Sequence, residues 1–262
     1  MGRSHWGRHT SGWSRVGPPL RPNDEVVAAV AGLLAGHSGP TLLLGVTPEL
    51  ATVGTELLAV ERNPEVIANV WPGDTPGRRA VAGEWLDVGR LDRRFLAVVG
   101  DGSFNNLRWR ASYDALFAQL AEVLEPGGRL VVRTFVTPEP GEDLDAVRAA
   151  AFAGSIGNFH ACKWHVAMAA VTAAGHPDIE VEHILQAFDQ AFPDRDELAA
   201  ATGWELASID TIDVYRGSAE VYSFPTETQL LATVPAGFAA AFVAAGTYPL
   251  AERCPLVVVD RT

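Results

Sequence analysis

Thr41-Leu42-Leu43-Leu44-Gly45-Val46-Thr47-Pro48-Glu49 opens the stretch that decides the fold, and Leu57-Leu58-Ala59-Val60-Glu61-Arg62-Asn63-Pro64-Glu65-Val66-Ile67 completes it. Two short apolar runs, each closed by a tight turn, read as two buried strands. The first turn carries Gly45, which lets backbone approach a ligand closely. The second closes on the acid Glu61, the residue type that takes ribose hydroxyls in a doubly wound sheet. Asn63 caps a following helix that has Pro64 in its first turn.

Outward from this pair, strands and helices alternate. Asn23 or Asp24 caps a helix that runs to about Ala35, where Gly36 ends it. A short strand is expected over 79–82, leading to Gly83-Glu84-Trp85. Phe95 to Val99 is wholly apolar and reads as a central strand, ending in Gly100-Asp101-Gly102-Ser103-Phe104-Asn105-Asn106. Tyr113 to Leu124 is an amphipathic helix, and Pro126-Gly127-Gly128 turns into a strand from Arg129 to Phe135. Such alternation with short loops predicts a parallel sheet with right-handed crossovers. Beyond Pro138 the pattern changes. Residues 142–175, 180–192 and 194–202 read as helices, 205–214 as a sixth strand, 226–245 as largely helical, and 255–260 as a terminal strand.

Composition bounds the partners. With 262 residues the chain can bury a sizeable core, and its net charge of -12 argues against a nucleic-acid backbone as the main partner. Residues 1–23 are the exception: Arg3, Arg8, Arg15 and Arg21 stand there without an acid. They read either as an irregular terminus or as an arm that folds over an anionic or electron-rich ligand. Cys162 and Cys254 have no framework spacing, and no apolar run approaches ~20 residues, so neither a disulfide scaffold nor a membrane span is expected. No secretory signal is read at the start, and the expected location is cytoplasmic. The homo-oligomeric state is left open, with a homodimer as one expectation.

In order and spacing, five motifs resemble those of a class I S-adenosylmethionine-dependent methyltransferase: the Gly45 loop, the strand ending at Glu61, Gly83-Glu84-Trp85, the strand ending at Gly100-Asp101, and Glu125-Pro126-Gly127-Gly128-Arg129-Leu130-Val131-Val132. The resemblance covers about residues 25–135 and the terminal strands. It implies an α/β, Rossmann-like doubly wound, mostly parallel seven-stranded sheet, with an N-terminal arm (1–24), a cofactor-binding core (25–137), a helical lid insertion (138–203) and a C-terminal part completing the sheet (204–262). The implied cofactor is S-adenosyl-L-methionine, its product S-adenosyl-L-homocysteine, and the implied activity transfer of a methyl group to O, N, S or C of a small-molecule metabolite.

Residue by residue, the resemblance implies that Gly45, Thr47 and Pro48 pass the methionine end of the cofactor. Glu61, flanked by Arg62 and Asn63, holds the ribose, and Glu84 reads the adenine with Gly83 and Trp85 beside it. Gly100, Asp101, Gly102 and Ser103 face the methionine end and the substrate, and Asp101 is a catalytic candidate there. The family's first loop usually reads acid-x-Gly-x-Gly-x-Gly. Here Leu43 holds the acid position, and Thr47 and Glu49 hold the second and third glycine positions. Glu49 and Asp101 are the candidates for the missing negative charge. The altered loop also keeps two other readings open: cyclisation or elimination chemistry on the same cofactor, and a catalytically degenerate binding module. No G-x-G-x-x-G follows the first strand, which lowers a nicotinamide reading.

Outside this shell, Gly157-Asn158-Phe159-His160-Ala161-Cys162-Lys163-Trp164-His165 is the catalytic candidate. On a helix His160, Lys163 and Trp164 share a face, so His160 or Lys163 can orient or deprotonate an acceptor. His160, Cys162 and His165 do not converge, so no metal site is expected. Trp13, Asn106, Trp164 and Tyr215 are the further substrate candidates, and Trp6, Tyr222 and Tyr248 are aromatic residues that can line the same pocket.

Overall fold

The computed structural model describes residues 16–262. The arm residues Trp6, Trp13, Arg3, Arg8 and Arg15 therefore lie outside the described residues.

Helix α1 (Asp24–Leu33) starts at Asn23, whose side chain accepts from the amide of Val26, as its cap chemistry requires. Then follow β1 (Pro40–Leu44), β2 (Thr55–Glu61), α2 (Pro64–Val70), β3 (Arg78–Ala82), β4 (Phe95–Asp101), α3 (Ala111–Val123) and β5 (Leu124–Arg133). Later come α4 (Leu144–Phe152), α5 (Phe159–Ala174), β6 (Asp178–Glu180), α6 (Val181–Ala191), α7 (Arg195–Thr202), α8 (Leu206–Ile209), β7 (Val221–Ser223), α9 (Glu227–Leu231), β8 (Phe238–Val243) and β9 (Leu256–Arg261). The main sheet has seven strands in the order β3-β2-β1-β4-β5-β9-β8. The first five are mutually parallel, and β9 and β8 join antiparallel.

The central strands are buried on both sides, which explains their unbroken apolar sequence. Leu42, Leu44, Leu58, Val60, Val98 and Val132 pack with α3 on one face. Leu43, Ala59, Val99 and Val131 pack with α1 and α2 on the other. A third core joins α4 to α8, and Phe159, Phe188, Phe192, Ile209, Ile212 and Tyr215 belong to it. Each fully buried Leu, Ile or Phe side chain contributes about 1.5–3 kcal/mol.

Four expectations are corrected. The expected strand at 205–214 is instead α8 followed by a 3₁₀ segment, Asp210–Tyr215. Ile209, Ile212 and Tyr215 are buried at a spacing of three, which fits a helical turn and not a pleat. The expected helix over 226–245 is the five-residue α9 followed by β8. Phe238, Ala240 and Phe242 alternate onto the sheet core, so period two prevails over the helix propensity of the alanines. The expected helix over 142–175 is two helices, because Gly154 stands at φ +72° and Asn158 caps a new start. In β5 the strand begins ahead of Pro126-Gly127-Gly128 rather than after it.

Candidate functional site

The strand order reverses between β1 and β4, and a crevice opens at the carboxyl ends of the strands beside such a point. A cavity of about 700 Å³ lies there. Its wall takes Gly45, Val46 and Thr47 from the loop after β1, and Glu61 and Arg62 from the end of β2. Glu84, Trp85 and Leu86 come from after β3, and Asp101, Gly102 and Asn106 from after β4.

Local structure aims these groups. Gly45 adopts φ +107°, a conformation that side-chain-bearing residues rarely reach, and its N–H donates to Val60 O at 2.9 Å. Trp85 Nε1 donates to the same carbonyl at 2.7 Å, which holds the indole across the ends of β1 and β2. Glu61 is bent back at the strand end, its Oε1 accepting from the Asn63 amide at 2.9 Å. Burial raises the Glu61 carboxyl above its ordinary value; the Asn63 amide and Arg62 pull against that rise, and the charge of Glu84 adds to it. Gly102 sits at φ +63°, and a Cβ there would lie 3.1 Å from the Phe135 ring. Asn106 Nδ2 donates to its carbonyl at 2.9 Å, closing the turn after β4.

Behind this wall lies a buried polar layer. Arg133, 1 % exposed, clasps Asp101: Nε donates to Oδ1 at 2.5 Å and Nη2 to Oδ2 at 3.0 Å. Its Nη1 donates to the Tyr248 hydroxyl at 3.0 Å. Burial pushes the Asp101 carboxyl up while Arg133 pulls it down. Asn105 spends its whole amide on the frame, donating to Phe135 O and Ser223 O and accepting from the Phe135 amide and Thr134.

The other end of the cavity is aromatic. Trp164, Tyr215, Tyr222 and Phe135 form it, with Trp164 edge-on to Tyr222 at 5.9 Å and 5.3 Å from Phe135. Arg62 Nη2 donates to Glu220 Oε2 at 2.8 Å, tying the 217–222 segment to the end of β2.

The structure thus brings together Gly45, Thr47, Glu61, Arg62, Glu84, Trp85, Asp101, Gly102, Asn106, Trp164 and Tyr215. Pro48, Asn63, Gly83, Gly100 and Ser103 stand behind the wall as supports. Pro48 starts a 3₁₀ turn, Asn63 caps α2, and Ser103 Oγ donates to Leu44 O at 3.0 Å. Of the three candidate catalytic residues, Asp101 is on the wall, and His160 and Lys163 are not. Helix α5 is buried nearly all round, so the shared face expected of His160, Lys163 and Trp164 does not open to the cavity as a unit. Lys163 is fully buried, and its Nζ lies 4.9 Å from the Tyr215 ring and 5.5 Å from the Trp164 ring. Desolvation lowers its pKa to about 7. Tyr248, a possible pocket aromatic by sequence, binds Arg133 instead.

Sequence reasoning did not single out Phe135, Arg108, Ser112 or Glu220, all on the wall. Phe135 ends the run expected as a strand from Arg129, two residues past the end of β5, and that is the one signal for its position; the others lie in segments with no motif. Among the described residues no three His, Cys, Asp or Glu side chains converge to hold a metal ion. No described helix is long and apolar enough to cross a membrane.

No protein-family model matches the chain, and no curated protein matches it by sequence. Solved structures do resemble it. The CcbJ methyltransferase from Streptomyces caelestis has a TM-score of 0.56 and 16 % identity over 100 % of both chains. An amino pentose methyltransferase from Micromonospora echinaspora, involved in calicheamicin biosynthesis and solved with S-adenosylmethionine bound, has a TM-score of 0.54 and 18 % identity over 96 % of this chain and 95 % of that one. A candidate Zn-dependent alcohol dehydrogenase from Rhodobacter sphaeroides has a TM-score of 0.55 and 11 % identity over 97 % of this chain and 98 % of that one. The chain carries the Rossmann-like, seven-stranded fold found in class I methyltransferases.

Proposed function

We propose that this protein is an S-adenosylmethionine-dependent methyltransferase acting on a small-molecule acceptor. The observation that carries the reading is Glu61: a half-buried carboxylate at the end of β2, on the cavity wall beside Gly45 and Trp85. The wall fits an adenosyl group. It offers one acid for vicinal hydroxyls, a second acid next to an indole for a purine, and a glycine turn where a backbone must come close. The absence of G-x-G-x-x-G after β1 favours this ligand over a dinucleotide.

When bound, S-adenosylmethionine supplies a methyl carbon on a sulfonium, which an acceptor lone pair displaces to leave S-adenosylhomocysteine. The chain's own part is to bind, orient and exclude water. Glu61 and Glu84 hold the nucleoside end. Trp164, Tyr215, Tyr222 and Phe135 offer a dry aromatic wall for the acceptor. Asp101 is engaged by Arg133 at both oxygens and is therefore a poor general base. Lys163 acts only through Tyr215 and Trp164, as a positioning residue. A metabolite suits the cavity of about 700 Å³ and the net charge of -12 better than a polyanion.

A second reading keeps the cofactor but not the transfer. Leu43, Thr47 and Glu49, standing where the family pattern has an acid and two glycines, favour it.

Titration calorimetry with S-adenosylhomocysteine, followed by product detection with amine, alcohol and thiol acceptors, separates the readings. Binding is expected, and Glu61→Ala is expected to weaken it at least tenfold, about 1.4 kcal/mol. No binding to the wild type would remove both cofactor readings. Binding without S-adenosylhomocysteine formation across the acceptor panel would favour the second.

A further inference from the structure

Among the described residues, the charged side chains on the cavity wall are Glu61, Arg62, Glu84, Asp101, Arg108 and Glu220. Arg133 neutralises Asp101 through both carboxylate oxygens, at 2.5 and 3.0 Å. Arg62 and Glu220 pair with each other at 2.8 Å. In the proposed function Glu61 and Glu84 hold the nucleoside end. Arg108 differs from all of these: it forms no ion pair or side-chain hydrogen bond with any described residue, and it is exposed, so a ligand can reach it. The acceptor half of the wall therefore carries one unbalanced charge, and it is positive, in a chain whose net charge is -12.

The backbone holds Arg108 in place. The Leu107 N–H donates to Phe104 O at 2.9 Å, and the Trp109 N–H to Asp178 Oδ1 at 2.8 Å. Asp178 lies in β6, opposite Ser223 of β7, and the residue before Ser223 is Tyr222 of the aromatic wall. Arg108 thus stands at the aromatic end of the cavity. The Ser112 N–H donates to Arg108 O at 3.2 Å, one helical turn, so the two side chains share a side, and Ser112 also lines the cavity. Asp178 feels the charge of Arg108: burial raises its carboxyl, and the Trp109 amide and Arg108 pull against that rise. It spends Oδ1 on the Trp109 amide and is not on the wall.

A guanidinium presents a planar fork of N–H donors that matches a carboxylate or a phosphate. We infer that Arg108 selects an acceptor that carries an anionic group, a carboxylate or a phosphate, with the Ser112 hydroxyl as a further donor. The inference rests on the methyltransferase reading above and names the acceptor class for the same cavity.

Calorimetry on the protein loaded with S-adenosylhomocysteine tests it with two matched pairs of probes, benzoate against benzamide and phenyl phosphate against phenol. The members of each pair share an aromatic ring for the Trp164 and Tyr222 wall and differ in the anionic group. At least one anion is expected to bind at least tenfold more tightly than its neutral partner, and the pair that shows this preference tells carboxylate from phosphate. Arg108→Gln is expected to remove the preference and to leave S-adenosylhomocysteine affinity within twofold, which shows that the site is folded. Arg108→Lys keeps the charge but loses the fork, and is expected to fall between the two. Arg110→Gln makes the same charge change two residues on, at an arginine paired with Asp114 and off the wall, and is expected to keep the preference. Equal binding of charged and neutral probes to the wild type, the absence of binding by all four included, overturns the inference. So does an equal loss of preference in Arg108→Gln and Arg110→Gln. The cofactor reading stands in both cases. If S-adenosylhomocysteine itself does not bind the wild type, the cofactor reading has failed and the inference falls with it.

Discussion

Two side chains set the chemistry that can be tested by pH. In the proposed function Glu61 binds hydroxyls as a carboxylate, and burial raises its pKa above the ordinary 4.5. Affinity for S-adenosylhomocysteine should therefore fall on acidification with a midpoint above 4.5, and Glu61→Gln should remove that midpoint from a pH series of titrations. Lys163 works on stability instead. Its folded pKa of about 7 lies below the ordinary 10.5, so in this interval the unfolded chain holds a proton that the folded chain releases. Stability from this group therefore rises with pH from about 7 toward 10.5, with a limiting slope of about 1.4 kcal/mol per pH unit. The two buried cysteines, raised from 9.0 to about 12, act in the opposite sense above pH 9. Urea denaturation from pH 7 to 8.5 should show the rise in the wild type and lose it in Lys163→Met. An equal slope in both proteins would mean that Lys163 keeps its proton against the Tyr215 and Trp164 rings.

At the scale of elements, the site depends on how α5 is anchored. Asn158 caps it, accepting from the Ala161 amide at 2.8 Å, while its Nδ2 donates to Pro18 O at 3.0 Å. One residue thus starts the helix that carries Trp164 and ties the chain ahead of α1 to it. Asn158→Ala should cost about 1–2 kcal/mol in urea denaturation, and Asn158→Ser, which restores only the cap, should recover part of it. No loss in Asn158→Ala would mean that water caps the helix equally well. The elements also mark where the sequence was readable. The runs at 41–44 and 57–60 declared themselves because strands buried on both faces are apolar without a break. Phe238–Val243 did not, because three alanines in a row suggest helix until the partner strand β9 imposes a pleat.

At the scale of the molecule, three cores meet around one cavity, two of them on the faces of the sheet and one under the later helices. A ligand that spans this junction stabilises all of them by mass action. At one hundred times its dissociation constant, S-adenosylhomocysteine should add about 2.7 kcal/mol, raising the melting temperature by roughly 5–10 °C. A thermal shift assay checks this. No shift at that concentration, with binding seen by calorimetry, would mean that thermal unfolding is irreversible or begins in a part not coupled to the site.

The sequence by itself determined the parallel half of the sheet, the turn at Gly45 and the acid at Glu61, because these follow from local patterns of burial and chain reversal. It also placed Glu84, Trp85 and Asp101 at strand ends, where a doubly wound sheet exposes side chains to a ligand. Only the tertiary structure decided which acids are available. Arg133 and Asp101 meet through the pairing of β5 with β4, and Arg21 reaches Glu49 across the chain. Only the tertiary structure, too, put Lys163 behind an aromatic wall, since helical periodicity gives the face of a helix and packing decides whether that face sees water.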